Sequence, residues 1–245
     1  MESGENPTRL ITDFTAELRA LNPETDLNVI LVGSVARGTE SLQSDLDLLV
    51  VSDAEARLPA PGGRLHVQSF TEETFRAKLR SGDDFAAWCV RFGVPLVSSG
   101  RWTAIVDSDE AAIWPEWRNK VKHATRRLVL ATAMLDAGDL EASAEETLYA
   151  VSHTARAVLL KQGVFPFSRP EMVQQLAESG HQVLAELLKE LIYGTANQRR
   201  LTRTHFYVKK LLVHLDKTTY GTYVNERRKI LQAKQSKSRH QPVVQ

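Results

Sequence analysis

The chain has 245 residues, 42% of them apolar and 25% charged, enough to bury a sizeable core as one large domain or two modest ones. Lys and Arg number 31 against 30 Asp and Glu, and the net charge of +1 gives no whole-chain case for a polyanion partner. No apolar run approaches the roughly 20 residues that span a bilayer, and the opening "MESGENPTRL" lacks the basic and apolar regions of a signal peptide, so a cytoplasmic protein without membrane contact is expected.

In chain order, Leu10, Ile11, Phe14, Leu18 and Leu21 recur at helical spacing before "NPETD" breaks the pattern. "LNVILVGS" then reads as a buried strand ending in a tight turn, "DLDLLVVS" as a second strand, and "RLHVQSF" as an alternating third. Within "FAAWCVRFG" the lone Cys89 excludes an intrachain disulfide and reads as a buried small hydrophobe. Beyond Val106 the β-branched runs disappear and long amphipathic patterns take over. Val121, Ala124, Leu128, Ala131 and Leu135 mark one helix ending at "DAGD", and further helices are expected over 142–162, 170–179, 182–193 and 197–216. The expected organisation is therefore an α/β domain over 1–106, a small mixed sheet with flanking helices, and an all-α bundle over 107–228. "SDEAAIWPEWRNK" reads as the junction. A basic, disordered tail is expected over 229–245. Lys217 to Gln245 holds seven Lys or Arg against Glu226 alone, which solubility explains without a nucleic-acid partner.

The chemistry lies in "LVGSVARGTESLQSDLDLLVV", Leu31 to Val51. On a strand Asp45 and Asp47 point to one face while Leu46 and Leu48 point to the other, so two carboxylates converge. Burying them side by side costs several kcal/mol unless a cation compensates, and hard oxygen ligands suit Mg²⁺ or Mn²⁺. Upstream, Gly33 and Ser34 follow a strand and open the short helix "SVARG". Glycine lets a phosphate approach the backbone, while a helix start and a serine hydroxyl offer donors. Arg37 is a candidate for a triphosphate oxygen. ATP or another nucleoside triphosphate bound across both features is placed for in-line attack at its α-phosphorus.

Gly33-Ser34, a ten-residue spacer and then Asp45-Leu46-Asp47 resemble the signature of the polymerase-β-type nucleotidyltransferase superfamily, in particular its minimal and aminoglycoside-modifying members. The resemblance implies transfer of a nucleoside monophosphate, AMP from ATP, to a hydroxyl of an aminoglycoside-like small molecule, a protein or a tRNA. It leaves room for a homodimer, since some relatives build their cleft across a dimer interface.

The resemblance also implies a third carboxylate on the neighbouring strand, where "LHVQSFTEETF" has His66 instead, with Gln68 two residues on. Three explanations compete. His66 could act as a neutral ligand or general base, since imidazole titrates near working pH. Another acid could serve, either Glu72 or Glu73 after the strand or Glu145 or Glu146 in "SAEETLYAVSH". Third, the chain could be a nucleotide-binding regulatory protein of a toxin-antitoxin type with weak catalysis.

The helical half resembles the bundles that follow such domains, including the HEPN family. Tyr149, His153 and Arg156 share a helix face. Arg200 and His205 fit the arginine-to-histidine spacing of ribonuclease members of that family, which would make RNA the substrate of this half.

Overall fold

The structure, a computed structural model, describes residues 7–39, 44–217 and 221, so the tail expected over 229–245 lies outside it. The chain divides into two compact units, Met1–Glu116 and Trp117–Gln245. The first opens with helix α1 (Pro7–Leu21), followed by β1 (Leu27–Val32), the single turn α2 (Gly33–Ala36), β2 (Leu46–Ser52) and β3 (Leu65–Thr71). Helices α3 (Glu72–Arg80) and α4 (Asp84–Phe92), strand β4 (Val94–Val97), α5 (Gly100–Val106) and α6 (Asp109–Ala112) complete it. The sheet order is β3-β2-β1-β4, with β1 antiparallel to both neighbours and β2 parallel to β3. This is the expected mixed sheet with one strand more. "VPLV" carries a proline and too few residues to show alternation, which is why β4 escapes sequence reasoning.

Side-chain alternation sorts the sheet residues onto two faces. Leu27, Val29, Leu46, Leu48, Val50 and Leu65 pack against Phe14 and Leu18 of α1. Ile30, Val32, Leu49 and Val51 pack against Phe75 and Leu79 of α3, Ala86 and Cys89 of α4, and Trp102 and Ile105 of α5. Beyond Val106, Glu110 of α6 accepts from Arg76 and Arg80 of α3 at 2.7 and 2.8 Å, and the compact unit runs to Glu116, inside the expected junction "SDEAAIWPEWRNK".

The second unit is helical: α7 (Trp117–Asp136), α8 (Leu140–Lys161), α9 (Arg169–Glu178), α10 (Gln182–Tyr193) and α11 (Gln198–Leu215). Between α7 and α8, Gly138 takes φ +81° and Asp139 caps α8 by accepting from the Ala142 N–H at 3.0 Å. The core combines Leu128, Val151, Val158, Met172, Leu176, Leu188, Val208 and Leu212 with small residues of α8 such as Ala150 and Ala155. Buried hydroxyls are satisfied within the helices: Thr125, Thr147 and Thr154 donate to the carbonyls of Val121, Ser143 and Ala150.

His205 belongs to that interior. It is 9% exposed, with Nε2 2.7 Å from Thr147 Oγ1 and Nδ1 3.4 Å from Thr132 Oγ1. Thr147 commits its proton to the Ser143 carbonyl, so the imidazole Nε2–H donates to it. Burial holds the His205 pKa below its ordinary value, favouring the neutral ring. Arg200 lies at the start of α11, donating to the Thr195 carbonyl at 2.7 Å, with Nε 3.6 Å from Glu190. The arginine-histidine pair with ribonuclease spacing is thus absorbed by packing and an ion pair. We expect His205→Ala to lower the urea-unfolding free energy by about 2 kcal/mol, by opening a cavity and stranding a buried hydroxyl. A variant as stable as the parent would contradict this assignment.

Candidate functional site

The first turn after β1 and the first residues of β2 and β3 meet at one end of the sheet. Val32 pairs with Asp47, and Asp47 with His66, so the three side chains share one face. Asp45 immediately precedes β2 rather than lying inside it, a shift of the kind that strand ends commonly show, and it stays on the Asp47 side of the strand.

His66 stands over both carboxylates. Its Nδ1 is 3.9 Å from Asp45 Oδ2 and 3.8 Å from Asp47 Oδ1, within ion-pair range and longer than a hydrogen bond. The side chains of Asp45, Asp47 and His66 are 50%, 43% and 66% exposed, so the group opens to solvent. Burial raises the Asp47 pKa above its ordinary value; nearby His66 pulls it down and Asp45 pushes it up.

Gly33 completes the cradle. It takes φ +79°, and a Cβ at this position would run into Asp47 Oδ2. The sequence suggests glycine here for phosphate approach; the structure adds that Asp47 itself occupies the space a side chain would need. Ser34 is the second residue of α2, and its carbonyl accepts from the N–H groups of Arg37 and Thr39, both at 3.1 Å. The turn is four residues long, so individual donors rather than a helix macrodipole are what it offers. Arg37 Nη2 donates to Thr39 Oγ1 at 2.9 Å.

The opposite end of the sheet holds a second group of acids with a different fate. Asp26 precedes β1, Asp53 follows β2, and Glu72 follows β3. Arg101 gathers all three, at 2.8, 4.0 and 3.3 Å, and Arg76 bonds Glu72 at 2.9 Å and Glu110 at 2.7 Å. These arginines hold the Glu72 carboxyl below its ordinary pKa. From the Asp47–His66 pair to the Ser52–Thr71 pair the register runs five residues, roughly 16 Å along the strands. Glu72 and Glu73 therefore begin the helix at the wrong end of β3 to serve as the third acid. Glu146, for its part, bonds Arg127 at 2.7 Å within the second unit.

The site thus combines two convergent oxygen donors, one partly desolvated, with an imidazole where a third carboxylate was expected. Among the described residues no group of three His, Cys, Asp or Glu has the geometry of a self-sufficient metal site. Two carboxylates on one edge suit a divalent cation that takes its remaining ligands from a substrate and water, as Mg²⁺ does with nucleotide phosphates. Cys89 takes no part: it is fully buried, and burial drives its thiol pKa far up.

Residues 11–93 match the family described as "Nucleotidyltransferase domain". No curated protein matches the chain. Among solved structures, a nucleotidyltransferase-like protein from Exiguobacterium sibiricum 255-15 is similar, with 19% identity and a TM-score of 0.48, covering 89% of this chain and 78% of that one.

Proposed function

We propose, from the premise that residues 11–93 form a nucleotidyltransferase domain, that this protein moves a nucleoside monophosphate, AMP from ATP, onto an acceptor hydroxyl. The observation that carries this reading is the convergence of Asp45 and Asp47 beneath His66, with Gly33 pressed against Asp47.

Asp45 and Asp47 would hold Mg²⁺ or Mn²⁺, which when bound neutralises charge on the triphosphate oxygens. The turn at Gly33 and Ser34 offers backbone and hydroxyl donors to the triphosphate, and Arg37 adds a guanidinium at its edge. His66 supplies the base. The acceptor hydroxyl gives up its proton to the imidazole as its oxygen bonds to the α-phosphorus, and the bond from that phosphorus to the pyrophosphate oxygen breaks. His66 is suited to this because a third carboxylate would add negative charge beside two others, whereas an imidazole accepts the proton as a neutral base.

For His66→Ala we expect turnover to fall by about 10²- to 10⁴-fold with the KM for ATP little changed, since the ring acts on the acceptor. The check is a pH profile of parent and variant over about pH 5 to 9, where imidazole titrates. The acidic limb belonging to the base should vanish in the variant. An unaltered rate across that range would remove His66 from the mechanism.

A further inference from the structure

Helix α4 carries an aromatic wall beside the carboxylates, and we infer that Trp88, backed by Phe92, stacks on the nucleobase of the bound nucleoside triphosphate. This rests on the nucleotidyl-transfer reading and concerns the part of the nucleotide that Gly33, Ser34 and the aspartates leave unheld.

The course of α4 is set at both ends. Near its start, Phe85 lies against Phe70 of β3, with ring centroids 6.5 Å apart. At its end, Gly93 sits so closely on β1 that an added Cβ would meet Ile30 Cγ2, and Val94 then opens β4 opposite Leu31. The next residue of β1 is Val32, whose partner is Asp47. The helix therefore crosses from β3 toward the end of the sheet that holds Gly33 and Asp47. Its side bearing Phe85 faces β3, and Trp88 and Phe92, three and seven positions on, carry that side to the carboxylate end. Asp47 lies on the sheet face that α4 covers, because it alternates with Leu49 and Val51, which share a core with Cys89. The thiol of Cys89, the residue after Trp88, registers this nearness: burial chiefly raises its pKa, and the charges of Asp83 and Asp47 raise it further.

Packing explains Phe85, which Phe70 engages, better than it explains Trp88. The Trp88 ring packs on Phe92, with centroids 5.3 Å apart and planes tilted by 50°. It stays half-buried, and its indole N–H makes no hydrogen bond among the described residues. A tryptophan buried for structure ordinarily finds a partner for that donor.

In-line attack decides which part of the substrate meets this wall. The acceptor oxygen enters opposite the departing pyrophosphate, so the two occupy opposite sides of the α-phosphorus. His66 on β3 marks the acceptor side, and the turn at Gly33 and Ser34 after β1 marks the pyrophosphate side. The nucleoside, held by a remaining ester oxygen, leaves that axis sideways along the face that α4 covers. An aromatic side chain suits it, because every base has a π-face to stack on.

The test is calorimetric titration of ATP and of inorganic tripolyphosphate, each with saturating Mg²⁺, into the full chain. The parent is expected to bind ATP at least about tenfold tighter than tripolyphosphate. Trp88→Leu keeps an apolar side chain in the wall and removes the π-face, so its ATP affinity should fall about tenfold with tripolyphosphate unchanged. Trp88→Phe keeps a ring and should retain most of the preference for ATP. Equal affinities in the parent, an undiminished ATP preference in Trp88→Leu, or an equal fall for both ligands in that variant would each overturn the stacking site and leave the metal and triphosphate reading in place. A parent that binds neither ligand overturns both. Nucleotide that binds with the expected pattern but is not transferred supports the stacking site and counts against transfer alone, so the two readings fail separately.

Discussion

Asp47→Asn is expected to be folded, at least as stable as the parent at neutral pH, and inactive. The stability follows from linkage. Burial raises the folded-state pKa of Asp47 above its unfolded value, so between the two values the folded state binds more protons and stability falls as pH rises. Its contribution is present below the unfolded pKa and is lost as pH climbs through the folded one, so at neutral pH the ionised carboxylate is a net liability, moderated by His66 and by partial exposure. Asparagine keeps the shape and removes the charge. Activity should fall by about 10³-fold or more, because a neutral amide is a poor ligand for Mg²⁺ and the triphosphate then lacks its charge compensation. Thermal melts at pH 7 and a metal titration of both proteins check this. A lower melting temperature would contradict the electrostatic account, and unchanged metal affinity would sink the two-carboxylate site.

Gly33→Ala is the second large effect, and it acts through geometry alone. A side chain at φ +79° costs about 1–2 kcal/mol of backbone strain. The added Cβ also meets the Asp47 carboxylate, which must rotate away from Asp45 and His66 or push the turn aside. A displacement of about 1 Å at a reacting centre can cost 10²-fold in rate, so we expect turnover to drop by that order with a modest loss of stability. Gly38→Ala is the matched control: it also has positive φ, but its Cβ would meet open space. Equal activity in the two alanine variants would show that backbone strain, not the approach to Asp47, is what matters.

Much of this site is legible in the sequence because alternation and spacing are local properties. The period-two pattern of "DLDLLVV" puts Asp45 and Asp47 on one side, and an apolar run ending in Gly-Ser marks the turn that faces them. What sequence leaves open is set by pairing between strands. Only the parallel register of β2 and β3 decides that His66 lies beside Asp47 while Glu72 falls at the far end, and no short-range signal carries that register. The same holds for the arginines. Arg101 and Arg76 are ordinary surface letters until the fold draws the far acids to them, and Arg127 and Arg169 are brought to Tyr149 from two other helices. In the bundle, Arg200 and His205 show the converse error: a permitted spacing along the chain, with the histidine turned into the core.

The measurement that bears most directly on nucleotidyl transfer is incubation of the full chain with α-labelled ATP, Mg²⁺ and a panel of hydroxyl acceptors, with the Asp45→Ala, Asp47→Ala variant alongside. The account predicts that label moves to a hydroxyl acceptor, that pyrophosphate is released in equal amount, and that EDTA or the double substitution stops both. ATP that binds with no label transferred to any acceptor, or transfer that survives the loss of both aspartates, would contradict it.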